Sequence, residues 1–192
     1  MERNEGKLIE RAARGDGAAF SELMQAHEKR MYAVAFRLCG NHEDAQDCLQ
    51  DAMIRVYKAI SSFKGQSSFA TWLYRITTNA CLDELRRRKT RQSTSLDGLL
   101  DTGWSPTDDL DTPERHALMS EKRREIEWAI AQLPEDMRAA VVLRDIQGFS
   151  YDEIAHMLGA NVGTVKSRIS RGRERLREKL SETLELFEQD DV

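Results

Sequence analysis

The chain has 192 residues, enough for one ordinary domain or two small ones; it is 40% hydrophobic and 32% charged, with only three prolines. That balance favours long amphipathic helices over turn-rich sheets, so an all-α protein is expected, in two small helical domains. The formal net charge is -4, and no run approaches the ~18 apolar residues of a membrane-spanning helix, which excludes that class.

The N-terminus, Met1 to Lys7, is polar and charged without an apolar core, so no secretory leader is expected and the chain reads as cytoplasmic. Its three cysteines (Cys39, Cys48 and Cys81) show no CxxC spacing. Neither a disulfide framework nor a metal site is suggested by that pattern, and buried reduced thiols are expected, with a redox role as the alternative.

In chain order, periodicity predicts helices at 5–14, 17–38, 42–61 and 69–89, with no strand and no internal repeat. In the third, Ala45, Cys48, Leu49, Ala52, Met53, Val56, Tyr57 and Ile60 share one face, and Asn41 is a good N-cap before the acids Glu43 and Asp44. The opposite face carries Asp44, Asp47, Gln50 and Asp51. Such an acidic stripe is either a solvated face or a docking face for a basic partner.

From Phe63 to Lys89 the chain sets four aromatics (Phe63, Phe69, Trp72 and Tyr74) among hydroxyls and then runs into Arg86, Arg87, Arg88 and Lys89. Phe69, Trp72, Leu73, Ile76 and Ala80 form an apolar stripe, so part of this set is core. The loop Lys64-Gly65-Gln66-Ser67-Ser68 puts hydroxyl donors beside aromatic walls, a combination that can accept an unstacked base. Asn79 carries both a donor and an acceptor for a base edge, while Arg75 and Arg86 to Lys89 can follow phosphates.

Residues 91–112 lose helical period and are rich in Ser, Thr, Asp and Gly, which reads as an acidic linker or a surface loop around Trp104. At about 3.3 Å per residue it could reach roughly 70 Å, about two turns of duplex DNA at ~34 Å per turn. The expected division is therefore a domain at 1–90, a linker at 91–112 and a domain at 113–192. Charge follows that division: 15 cations face 12 anions in residues 1–90, one faces five in 91–112, and 13 face 16 in 113–192. Within the last segment, 161–180 alone has seven cations and two anions, the local patch a polyanion would seek.

Beyond the linker, helices are predicted at 114–132, 135–146, 151–158 and 162–186. Ser150 and Glu153 make a capping box, Gly159 permits a left-handed helix end, and Asn161 can cap the next helix after a three-residue turn. That is a helix-turn-helix layout. In its second helix Val162, Val165, Ile169, Gly172, Leu176 and Leu180 point inward, so Thr164, Ser167, Ser170 and Arg171 point outward with Lys166, Arg168, Arg173 and Arg175 on the flanks. Short hydroxyls let a helix enter the major groove, arginine can read guanine, and the remaining cations hold phosphate.

The stretches "DAQDCLQDAMIRVYKAISSFKGQSSFATWLYRITTNACLDELRRR" and "LPEDMRAAVVLRDIQGFSYDEIAHMLGANVGTVKSRISRGRERLR" together resemble bacterial sigma factors of the extracytoplasmic-function type, close to the RpoE-like group. They resemble the family's second and fourth conserved regions, in the family's order, and the likeness covers about residues 6–180. The resemblance implies that Asp44, Asp47, Gln50 and Asp51 dock on the clamp helices of the largest subunit of core RNA polymerase. It implies that Phe63, Lys64, Ser67, Ser68, Trp72, Arg75, Asn79 and Arg86 capture a flipped, single-stranded base of the -10 element. Thr164, Lys166, Ser167, Arg168, Ser170, Arg171 and Arg175 would read the duplex -35 element while their domain packs on the flap of the second-largest subunit. Cys48 and Met53 stand where the family more often has aliphatic or aromatic residues, and Ser170 where the RpoE-like group can carry an aromatic.

The same likeness implies an anti-sigma factor as a partner, which can hold such a protein at the inner face of the membrane. No cofactor, metal or small-molecule substrate is expected. A self-sufficient helix-turn-helix repressor is the rival reading, and an enzyme is disfavoured because His27, His42, His116 and His156 are scattered and no phosphate-binding glycine loop occurs.

Overall fold

A computed structural model describes residues 2–94 and 124–190. Among the described residues there is no strand. Four helices come first: α1 (Glu2–Ala13), α2 (Gly17–Cys39), α3 (His42–Ala59), extended by a short 3-10 turn at Ile60–Ser62, and α4 (Phe69–Thr94). After the second described boundary come α5 (124–131), α6 (Glu135–Val141), a π turn at Val142–Ile146, α7 (Tyr151–Leu158) and α8 (Val162–Asp190). The expected helix at 114–132 and the expected linker lie largely outside the described residues; α4 continues to Thr94, past the linker's expected start.

The helices start and stop for local reasons. Asp16 accepts from the Ala18 and Ala19 amides to open α2, and Asn41 accepts from the Asp44 amide at 2.9 Å to open α3. Between them Gly40, at φ +83°, ends α2 by returning its N–H to the Phe36 carbonyl, a left-handed cap that a side chain would strain. The expected helix over 135–146 divides: beyond Val141 the Gln147 N–H reaches back to the Val142 carbonyl, which widens the last turn.

The first unit buries Leu23, Met31, Val34, Leu38, Ala45, Ala52, Val56 and Leu73 among α2, α3 and α4. The second buries Ala140, Leu143, Ile154, Met157, Val165 and Ile169. The expected stripe of α3 goes inward except at Tyr57, which is 54% exposed and meets Phe20 edge-on at 5.0 Å, while Ile60 beyond it is buried again. Asp44 corrects the expected acidic stripe: it is only 5% exposed, bonded by Asn41 and paired with Arg88 from α4. Its carboxylate belongs to the helix packing, because an unpaired charge there would be costly.

The two units pack together. Tyr74 and Phe149 meet edge to face at 5.6 Å, and Arg37 of α2 pairs with Glu127 of α5 at 3.4 Å. Arg138 donates to the Leu38 carbonyl at the end of α2 and to the Ala131 and Leu133 carbonyls. Burial pulls the Arg138 pKa below the ordinary arginine value, and those carbonyls replace the water it has lost. Among the described residues no helix is long and apolar enough to cross a membrane.

Candidate nucleic-acid interface

The loop after α3 and the first turns of α4 form one wall of a cleft of about 440 Å³, lined on that side by Ser62, Phe63, Lys64, Gln66, Ser67, Thr71, Trp72 and Arg75. The aromatics pack against one another: the Phe63 ring lies tilted 5.2 Å from Trp72 and edge-on 5.4 Å from Phe69. Phe69 and Trp72 are thereby buried, at 4% and 8% exposure, whereas Lys64, Ser67, Ser68 and Asn79 are exposed. Ser68 caps α4 by accepting from the Thr71 amide at 3.0 Å.

Trp72, Arg75, Asn79 and Arg86 fall on one side of α4, because steps of three, four and seven residues return to the same face. At 1.5 Å per residue that strip runs for roughly 20 Å, long enough to follow several nucleotides. The loop therefore offers stacking surface and hydroxyls, and the helix continues it with an amide and cations. Arg87 and Arg88 turn elsewhere, to Glu84 and Asp44.

The opposite wall of the cleft comes from α7, through Asp152, Glu153 and His156. Glu153 Oε1 accepts from Thr71 Oγ1 at 3.1 Å, and Arg75 Nη1 donates to His156 Nδ1 at 3.2 Å. Glu153 also accepts from the Ser150 amide at 2.9 Å and from the Ser150 hydroxyl at 2.8 Å, completing the expected capping box. The Ser150 backbone bond first, then the Ser150 and Thr71 hydroxyls, hold the Glu153 pKa below the ordinary glutamate value. Sequence reading did not anticipate that these two faces meet, since nothing local couples residue 71 to residue 153.

The helix-turn-helix forms as expected. Gly159 closes α7 at φ +59°, and Asn161 accepts from the Thr164 amide at 2.7 Å to open α8. Val165, Ile169 and Gly172 are buried, and Lys166, Ser167, Ser170, Arg171 and Arg175 are exposed. Thr164 spends its hydroxyl on Asn161, while Arg168 pairs with Asp136 at 2.6 Å and Arg173 with Asp145 at 2.5 Å. Arg144 and Lys166 both lie over the Tyr151 ring, at 4.7 and 5.8 Å, which braces α7 against the turn before it and against α8. The outward face of α8 thus combines short hydroxyls with cations, the chemistry of a groove-reading helix.

On α3, Asp47 and Gln50 are exposed and Asp51 is half-buried, pairing with Arg55 at 2.8 Å. Arg55 also bonds Asp83 of α4 at 2.7 Å. Two acceptors so hold Arg55 against α4 and raise its pKa, the Asp83 hydrogen bond contributing most.

Residues 23–91 match the sequence family described as Sigma-70 region 2, and residues 120–176 match Sigma-70, region 4. The chain is 37% identical over 182 residues to the RNA polymerase sigma-H factor of Pseudomonas aeruginosa, covering 93% of this chain and 94% of that protein. It is 36% identical over 178 residues to the ECF RNA polymerase sigma-E factor of Escherichia coli, covering 90% of this chain and 92% of the other. Among solved structures, the sigma factor RpoE of Bartonella quintana, crystallised with the anti-sigma factor NepR, superposes with a TM-score of 0.71 at 26% identity, covering 84% of this chain and 96% of that one.

Proposed function

The chain belongs to the sigma-70 family, in its extracytoplasmic-function branch, and from that premise we propose how its two helical units divide the work of transcription initiation. It is a promoter-specificity subunit of RNA polymerase and not an enzyme. Core polymerase and promoter DNA are its partners, and an anti-sigma factor controls it.

In this reading Asp47, Gln50 and Asp51 dock α3 on the clamp helices of the largest polymerase subunit, and the second unit packs on the flap of the second-largest. Lys166, Ser167, Ser170 and Arg171 read duplex at the -35 element and position the complex. The loop from Phe63 to Ser68 then takes a flipped base of the -10 element, with Trp72 as wall, Asn79 at the base edge and Arg75 and Arg86 on phosphate. Capturing an unpaired base makes melting favourable, since stacking on an aromatic contributes ~1–3 kcal/mol per base. The protein works in the cytoplasm, where an anti-sigma factor anchored in the membrane would keep it at the inner face.

One observation supports this reading above the rest: a stacking loop continuous with an amide-and-cation strip, and a groove-reading helix with its own hydroxyls and cations, occur in one chain. A self-sufficient repressor needs the second feature and has no use for the first. The test mixes the purified protein with core RNA polymerase on a size-exclusion column, with promoter duplex alone as the parallel sample. A 1:1 complex with polymerase and little specific duplex binding alone is expected. A tight protein dimer on duplex without polymerase binding would overturn it.

A further inference from the structure

Cys39, Cys48 and Cys81 come from three different helices, the last residue of α2, the middle of α3 and the middle of α4, and their sulfurs all lie within 4.8 Å of one another. Cys39 Sγ donates to Cys48 Sγ at 3.6 Å. Cys81 is fully buried, Cys48 is 3% exposed and Cys39 is half-buried, so the cluster opens toward solvent on one side.

A core that needed only small apolar groups could use alanine at any of the three positions. Here three thiols turn their sulfurs toward one point instead. Two thiolates on one zinc ion, each at about 2.3 Å, stand roughly 3.8 Å apart in tetrahedral geometry. The Cys39–Cys48 separation of 3.6 Å is near that value, and the 4.8 Å limit on the remaining pairs leaves about an ångström for the site to close on an ion. We propose that Cys39, Cys48 and Cys81 form a three-thiolate site for a thiophilic divalent metal ion, with zinc as the fitting case and water on the open side at Cys39.

Donor chemistry sets the class of ion. All three donors are soft sulfur, which selects zinc-like ions over magnesium or calcium. Asp44 is occupied by Asn41 and Arg88, and Asp51, whose charge acts on Cys48, is paired with Arg55. Three thiolates with a divalent ion leave one negative charge, and the cations of Arg88, Arg55 and Arg138 all act on these sulfurs. Binding one ion would cross-link α2, α3 and α4. It would do so beside Leu38, whose carbonyl receives Arg138 from the second unit.

The test uses the full chain, reduced and handled without oxygen, titrated with cobalt(II) as a visible stand-in for zinc. One cobalt per chain with a thiolate-to-metal charge-transfer band, displaced by one equivalent of zinc, is expected. Zinc should also raise the melting temperature. Cys39→Ala, Cys48→Ala and Cys81→Ala should each weaken binding by more than the ~10–100-fold that loss of an outer-shell partner costs. Circular dichroism identifies any variant that fails to fold, and Cys39→Ser at the half-buried position supplies the same test with least disturbance. Reduced protein that binds no stoichiometric cobalt, or binding that survives the cysteine changes, would overturn the site.

Discussion

Thr71 Oγ1 donates to Glu153 Oε1 at 3.1 Å, joining the first turn of α4 to the first turn of α7 across 82 positions of chain. The same carboxylate caps α7 through Ser150. One charge therefore serves a helix end and the seam between the units. Its folded pKa is depressed, so the stability it contributes is present above the 4.5 of an unperturbed glutamate and is lost as pH falls through the lower folded value. Glu153→Gln keeps the shape and loses the charge. It should lower the melting temperature at neutral pH, by the equivalent of about 0.3–1 kcal/mol for a charge at a helix N-terminus. The difference should close in acid below that window; thermal melts followed by circular dichroism across the pH range would show it.

Because α7 forms the opposite wall of the cleft from the loop at Phe63 to Ser67, the described arrangement narrows access to the side of the loop proposed for base capture. Phe149→Ala removes the ring that meets Tyr74 at 5.6 Å without adding any charge that would itself attract DNA. Weakening the seam should expose the loop and raise affinity for a labelled single-stranded -10 oligonucleotide when polymerase is absent. Fluorescence anisotropy reads this directly. Equal affinities for the variant and the parent would mean that α7 does not occlude the loop.

The depth of the helix-turn-helix packing can be tested at Gly172. A Cβ there would sit 2.6 Å from Val141 Cγ2 and 3.6 Å from Met137 Cβ. Alanine normally gains about 1 kcal/mol over glycine inside a helix. Overpacking of this kind costs ~1–3 kcal/mol, so Gly172→Ala should be destabilising on balance. Val141→Ala in the same chain should remove the clash and restore the helix-propensity gain. Urea unfolding of both singles and the double variant completes the cycle; additive losses would show that the two side chains do not meet.

What could be read from the sequence was what short range decides. Ser150, Glu153, Gly159 and Asn161 act within one turn of their own positions, so the caps and the turn between α7 and α8 follow from the residues themselves. The stripe Phe69, Trp72, Leu73, Ile76 and Ala80 was visible for the same reason. Yet α4 also buries Tyr74, Thr77, Thr78 and Cys81, because α2, α3 and α7 cover it from several sides, and no periodicity announces that. Asp44 turns inward because Arg88 meets it from 44 positions away. The three cysteines converge through helix packing, with no ligand spacing along the chain.

Asp44 and Asp47 should accordingly part company under mutation. Asp44 is bonded by Asn41 and Arg88 inside the first unit, whereas Asp47 is exposed on the outer face of α3. Asp44→Ala leaves Arg88 only the longer contact to Glu84 at 3.6 Å, removes the tie between α3 and α4, and should lower stability measurably in a thermal melt. Asp47→Lys should melt like the parent but lose co-elution with core polymerase. Intact assembly in the Asp47 variant would return that face to a solvated role.

Arg171 and Asn79 provide the last separation, between positioning and opening. Arg171 is exposed on α8 among Lys166, Ser167 and Ser170, while Arg168 and Arg173 beside it are held by Asp136 and Asp145. A guanidinium bidentate to guanine discriminates by ~1–3 kcal/mol, so Arg171→Ala should flatten the preference for a matched -35 sequence by about that amount and leave opening intact once the complex has formed. Asn79 lies two turns beyond Trp72, exposed on the face of α4 proposed for base capture. Asn79→Ala should therefore spare polymerase and duplex binding but reduce thymine reactivity to permanganate near the start site. If both variants lost the same step, recognition and melting would not be divided between the two units; opposite defects, read in one assay of complex formation and one of strand opening, are the expected result.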